Sequence, residues 1–270
     1  MLRDAVRVLA DEQIAPRAAE IDRTAEFPWD VKELLASHDI LGLPFPEAYG
    51  GLGGSLLNVC LAVEQISRAC ATSGLILAVQ ELGALPLLLA GNDDQKQRWF
   101  PDLAAGRTLI AFALTEAEAG SDAAATRTRA RRDGDDWIID GSKRFISQGS
   151  VADLVTVFAA TDEAGGDAAD VPRHRRLSCF VVEKGTEGFG VERIEHKMGI
   201  RGSPTWTPEP RPPGSCCTRP VPRSRPVRRT RPDGRPCVNS SPGTRPCASR
   251  PTPCRYSGVT ATSMSSPSSG

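Results

Sequence analysis

A chain of 270 residues with no formal net charge, 40% hydrophobic and 24% charged residues, has material for a sizeable core and one or two domains. It opens on no apolar segment with basic flanks, so secretion is not expected and a cytoplasmic location is. His38, His174 and His196 have no metal-ligand spacing with one another or with cysteine, which argues against a metal module.

The first stretch, 1–21, carries Leu2, Val6, Leu9 and Ala10 at helical spacing, and 30–38 gives a second short helix after Phe27-Pro28-Trp29. Residues 42–54 hold Pro44, Pro46 and the pairs Gly50-Gly51 and Gly53-Gly54, a loop. A helix follows from Ser55 to about residue 71, and Thr72 or Ser73 is expected to cap the next one. That next helix is apolar enough over 73–90 to suggest a membrane span. Gln80, Glu81 and Pro86 argue instead for a helix buried in protein. Asn92 is a predicted N-cap for a helix through residue 103, closed by Gly106. Residues 1–108 therefore read as a helical bundle. Cys60, Cys70 and Cys179 stand in apolar surroundings and are expected to be inert core thiols.

After Gly106 the period changes to alternation. Strands are expected over 126–132, 135–140, 142–146, 153–160 and 177–182, with Asp133-Gly134 and Asp140-Gly141 as hairpin signals. The polar stretch 161–176 reads as a mobile loop, and its Arg173-His174-Arg175-Arg176 as a solvated face, because the domain around it is acidic. The fold class expected is α+β: a helical bundle, an antiparallel, barrel-like β domain over 109–206, and a disordered Pro/Arg-rich tail over 207–270.

Two polar loops stand at predicted strand ends. The first runs from Phe112-Ala113-Leu114-Thr115-Glu116 to Gly120-Ser121-Asp122, where a small residue and hydroxyls let backbone N–H groups approach a phosphate. The same Gly-Ser-Asp also suits an ordinary turn or helix cap. The second, Lys143-Arg144-Phe145-Ile146-Ser147-Gln148-Gly149, puts an aromatic, an aliphatic and a hydroxyl in a row, which suits one edge of a flat, partly polar ring. Glu116 and Glu118 read as loop carboxylates facing solvent rather than as a catalytic base.

Thr115-Glu116 with Gly120-Ser121-Asp122, then Trp137-Ile138-Ile139-Asp140-Gly141-Ser142-Lys143, Phe145-Ile146-Ser147 and His196-Lys197-Met198-Gly199-Ile200-Arg201-Gly202-Ser203, resemble in order and spacing the acyl-CoA dehydrogenase family. The resemblance covers residues 1–206. It implies FAD at the junction of helical and β domains, with Phe112, Ala113, Leu114 and Thr115 along the flavin. Ser121 would lie near the pyrophosphate and the acyl-CoA substrate, and Phe145, Ile146 and Ser147 along the other side of the ring. The family has Trp where this chain has Phe145 and Thr where it has Ser147. It further implies α,β-dehydrogenation of an acyl-CoA thioester to a trans-2-enoyl-CoA, electron-transfer flavoprotein as electron acceptor, and a homotetramer. The catalytic Glu belongs to a third, helical domain.

Residues 1–206 carry 22 Lys and Arg against 31 Asp and Glu, whereas 207–270 carry 11 Arg, no Lys, two acidic residues and 14 of the 22 prolines. Such a tail reads by composition as disordered and basic, but its lack of Lys and of interleaved aromatics argues against nucleic-acid binding. A frame shifted by two bases over 255–270 admits Val-Leu-Gly-Gly-Tyr-Gly-Tyr-Ile-Asp-Glu-Phe-Pro-Val-Glu-Arg, which resembles a signature of the family's third domain. The tail is therefore expected to be an out-of-frame translation, and the chain as given to be truncated and inactive; the alternative is a non-catalytic fragment that binds FAD or CoA, or a partner of intact subunits.

Overall fold

The computed structural model describes residues 1–133, 136–161, 176–191 and 193–206, together with the backbone of 207, 254–256 and 262–263. The expected mobile loop lies outside these residues over 162–175, as does the expected disordered tail apart from the two short pieces named below.

The chain begins with α1 (Leu2–Leu9), loosens into a π turn over Ala10–Ile14 and a 3-10 turn over Ala15–Arg17, and resumes as α2 (Ala18–Thr24). The single helix expected here is broken at Pro16, which offers no N–H and crowds the carbonyl four residues back. Then come α3 (Trp29–Ser37), a loop with 3-10 turns at Ile40–Gly42 and Glu47–Tyr49, and α4 (Leu56–Ala69), where the Ser55 hydroxyl accepts from the Asn58 N–H at 3.4 Å.

One extended residue, Cys70, separates α4 from α5 (Ala71–Ala90). Cys70 takes the N-cap position, and its carbonyl accepts from the Gly74 N–H at 3.1 Å. Thr72 and Ser73 are thus inside the first turn, buried, and not the expected cap. With 20 residues and a mean hydropathy of 1.7, α5 is long and apolar enough to cross a membrane by length and composition alone. Here it is a core helix. Gln80 is fully buried in it, donates to the carbonyls of Leu103 and Thr108 at 3.0 Å each, and accepts from the Ile110 N–H at 3.2 Å. A buried amide satisfied in this way joins α5 to the end of the helical half and the start of the sheet. The last helix, α6 (Asp93–Ala104), carries the expected cap: Asn92 Oδ1 accepts from the Gln95 N–H at 2.8 Å and Gln95 Oε1 from the Asn92 N–H at 3.0 Å.

In the β half, β1 (Ile110–Ala113) is followed by β2 (Arg129–Asp133), β3 (Asp136–Asp140), β4 (Ile146–Ser147), β5 (Leu154–Thr161), β6 (Leu177–Glu183), β7 (Arg193–Ile194) and β8 (Thr205–Thr207). Two short pieces near the end are β9 (Cys254–Tyr256) and β10 (Thr262–Ser263). The hub is β5. It pairs antiparallel with β6, but parallel with β1 at one end, where Ile110 is level with Leu154, and with β2 at the other, where Arg129 is level with Ala160. The larger sheet runs β10-β6-β5-β2-β3-β9 with β1 also on β5, and a smaller antiparallel sheet runs β4-β8-β7.

The sheet is therefore mixed and open, not the antiparallel barrel expected. It curls enough for Trp137 on β3 to meet Phe180 on β6, with ring centroids 5.3 Å apart. The departure comes from the crossover between β1 and β5, which returns the chain in the same direction; alternation within a strand carries no information about its neighbour's direction. β2 and β3 pair antiparallel with Asp133 level with Asp136, the pairing expected of a hairpin there, while the hairpin expected at Asp140-Gly141 does not form, because β4 pairs with β8. Gly141, at φ +154°, is pressed against Thr128 so closely that a Cβ would lie 2.6 Å from the Thr128 Cα.

The sheet packs on α5 through another close approach. A Cβ on Gly83 would meet Ile110 Cγ2 at 2.9 Å, and the Thr156 hydroxyl donates to the Gly83 carbonyl at 2.7 Å. One buried cluster continues from Val6, Ile14 and Leu35 in the helices to Val155, Phe180 and Trp206 in the sheets.

Candidate functional site

The strands β1 and β3 deliver the chain into the two loops singled out above, and the loops are stapled together. The Lys143 ammonium donates to the Leu114 carbonyl at 3.0 Å and to Glu116 Oε1 at 2.7 Å, and the Arg144 N–H donates to the Thr115 carbonyl at 2.7 Å. Glu116 Oε1 also accepts from the Thr128 N–H at 3.1 Å and hydroxyl at 2.5 Å, and Oε2 from the Arg127 N–H at 2.6 Å. Loop one, loop two and the start of β2 thus converge on a single carboxylate.

Both members of this ion pair are buried, Glu116 at 7% exposure and Lys143 at 3%. Burial on its own would raise the Glu116 carboxyl. The hydrogen bonds from Lys143, Thr128 and the Arg127 N–H, with the Lys143 charge, outweigh it and hold the carboxyl below its ordinary value. For Lys143 the balance tips the other way: burial holds the ammonium below its ordinary value even with Glu116 beside it. Glu116 is therefore not the solvent-facing carboxylate expected. Glu118 is exposed and ion-paired with Arg127.

Of the residues predicted along a ring, Phe112 is half-buried with its ring 5.1 Å from that of Phe158, Ala113 is fully buried, and Leu114 and Thr115 are half-buried at the mouth of the first loop. Among the described residues nothing accepts from the Thr115 N–H. Phe145 is 60% exposed on a left-handed backbone, φ +59°, while Ile146 is buried and Ser147 half-buried, paired through β4 with Trp206 and Thr205. A bulky residue in that conformation is uncommon and costs free energy, on the order of 1–3 kcal/mol. The staples bring Phe112–Thr115 and Phe145–Ser147 to one place. Ser121 is not drawn in with them; it lies in the exposed run of Gly120 to Asp122.

The sequence motifs assign Lys143 no role and make Glu116 a loop carboxylate facing solvent. The signal present was a carboxylate in one loop and a lysine in the other, of opposite charge, just past apolar strands. On the small sheet, where Thr205 is level with Ser147, Lys197 donates to the Ser203 carbonyl and, at 2.9 Å, to the Thr205 hydroxyl, while His196 and Met198 are exposed. Burial holds the Lys197 ammonium below its ordinary value. The thiols differ from expectation in one place: Cys70 is buried and Cys179 half-buried, but Cys60 is exposed. No group of three or more His, Cys, Asp or Glu able to hold a metal comes together among the described residues.

Family models decide the kinship: the acyl-CoA dehydrogenase N-terminal domain matches residues 1–107 and the acyl-CoA dehydrogenase middle domain matches 111–209. The chain belongs to the acyl-CoA dehydrogenase family. An acyl-CoA dehydrogenase of Bacillus subtilis is 42% identical over 206 residues, covering 76% of this chain and 52% of that protein. Among solved structures, a chain in that of the electron transferring flavoprotein of Acidaminococcus fermentans superposes with a TM-score of 0.70 at 36% identity, covering 76% of this chain and 53% of that one. The glutaryl-CoA dehydrogenase of Mycobacterium smegmatis in complex with FADH2 superposes with a TM-score of 0.68 at 30% identity, covering 76% and 50%. The family's cofactor is FAD. The chain spans about half the length of the curated relatives it matches.

Proposed function

We propose that residues 1–206 form the flavin-binding part of an FAD-dependent acyl-CoA dehydrogenase, with a helical domain over 1–108 and a β domain over 109–206. The observation that carries this reading is the stapled pair of loops, which sets an unspent N–H at Thr115 beside an exposed aromatic at Phe145. A flat, partly polar ring needs such a combination: a donor at its edge and an apolar surface against its face.

Leu114 and Thr115 would hold the pyrimidine edge of the flavin, with Phe112 and Ala113 beneath them in β1. Phe145, Ile146 and Ser147 would line the opposite side, the ring of Phe145 excluding water and the Ser147 hydroxyl donating. Ser121, exposed beside Gly120 where a Cβ would meet nothing within 4 Å, would serve the pyrophosphate and the acyl-CoA. When bound, the flavin supplies a hydride acceptor for the β-hydrogen of an acyl-CoA. An α-proton is weakly acidic, so the reaction also needs a base and donors at the thioester carbonyl. Neither carboxylate of the first loop fits the role of base: Glu116 is spent on four hydrogen bonds and Glu118 on Arg127.

The same reading makes electron-transfer flavoprotein the electron acceptor and the cytoplasm the location. It takes residues from about 207 onward as an out-of-frame translation, so that these residues would not supply the helical domain bearing the base. Purification of the 270-residue chain is expected to give a protein that loses FAD, takes it up again on titration, and reduces no dye with any acyl-CoA. Turnover with an acyl-CoA would refute the inactivity, and no uptake of FAD at any concentration would refute the flavin site. Sequencing the gene and transcript across codons 195–270 tests the frame; stop codons in the shifted frame would end that part of the proposal.

A further inference from the structure

We propose that Lys143 is a positioning residue that acts through the peptide between Leu114 and Thr115, strengthening the Thr115 N–H as a donor to an electron-rich ligand edge. The geometry is a relay of two groups. The buried ammonium donates to the Leu114 carbonyl at 3.0 Å, and that carbonyl belongs to the same peptide unit as the Thr115 N–H, which no described residue uses. A cation on the oxygen side of a peptide draws electron density from the nitrogen side, so the N–H becomes the stronger donor; hydrogen bonds in series polarise one another by about 10–30% each.

The surroundings make the effect worth having. Lys143 is 3% exposed, so little water screens it. Glu116 keeps the ammonium in place without cancelling it at the carbonyl, because Glu116 is itself shared among Thr128, Arg127 and Lys143. The adjacent Thr115 carbonyl is fixed by the Arg144 N–H at 2.7 Å, which sets the plane of the next peptide. The Thr115 N–H is thus both oriented and charged before any ligand arrives, which is the condition for a donor to favour an acceptor whose negative charge grows. The ligand class is an acceptor edge of a heteroaromatic ring; that the ring is the flavin rests on the function proposed above.

Removing the pair as a whole separates this role from mere scaffolding. Lys143→Met alone strands a buried carboxylate, so the decisive protein is the full chain with Glu116→Gln and Lys143→Met together, compared with Lys143→Arg and the unsubstituted chain. Two quantities are read: the amide proton and nitrogen shifts of Thr115 by NMR without ligand, and the dissociation constant of FAD by quenching of its fluorescence. The double variant is expected to move the Thr115 amide upfield and to bind FAD about fivefold more weakly, the scale of one weakened hydrogen bond. Lys143→Arg, which keeps the charge, is expected to stay near the unsubstituted values. A Thr115 amide unmoved in the double variant, or displaced as far by Lys143→Arg, would overturn the relay. If no form of the chain binds FAD, the flavin reading fails while the amide shifts still decide the role of Lys143.

Discussion

Glu116 and Lys143 place two opposite charges where water hardly reaches, and such a pair is costly to break even where it adds little net stability. Glu116→Gln leaves the Lys143 ammonium with only a carbonyl and an amide oxygen, and is expected to cost about 3–5 kcal/mol in urea denaturation. The pH dependence has a definite sign. The folded carboxyl of Glu116 titrates below its ordinary value of 4.5, so its contribution to stability is complete above that value and is lost as the pH falls through the lower, folded one. Glu116→Gln should therefore flatten the acid limb of the thermal midpoint below pH 4.5, and an unchanged limb would show that other carboxylates govern it. The Cys179 thiol, pushed up to about 12 by burial, is expected to resist alkylation at neutral pH while exposed Cys60 reacts, as read by site-resolved mass spectrometry.

The element that aims these residues is the turn between β3 and β4. At Gly141 the chain leaves the sheet instead of folding back as a hairpin, and the close contact with Thr128 carries Lys143 inward to loop one. Gly141→Ala puts a methyl group against the Thr128 backbone, so one of the two must move. The expected cost is about 1–3 kcal/mol by calorimetry, with weaker FAD uptake because Thr128 is also a donor to Glu116. A variant of normal stability and normal uptake would mean that the turn is free to shift.

For the whole molecule the junction of helices and sheet matters most, since the candidate site lies on elements from the β half that are seated on α5. Gln80 ties three backbone groups across that junction. Gln80→Leu fills much the same volume but leaves the Thr108 carbonyl and the Ile110 N–H without their partner, while the Leu103 carbonyl keeps the Gly106 N–H. The expected loss is about 2–5 kcal/mol, with FAD affinity falling along with it, measured by denaturation with and without FAD. Stability equal to that of the unsubstituted chain would show that water reaches the freed groups.

The sequence by itself determined the local features: the Asn92 cap, the helices of the first half, the antiparallel pairing of β2 with β3, and the motifs that mark the family. These rest on residues a few positions apart, so pattern and turn chemistry suffice. Only the tertiary structure decided that β1 and β2 run parallel to β5, that Asp140-Gly141 turns away from the sheet, and that Glu116 is buried against Lys143. Each depends on a partner that lies far off along the chain. A strand's alternation says which face is buried but not which neighbour it meets, and a carboxylate's exposure is set by the loop folded over it.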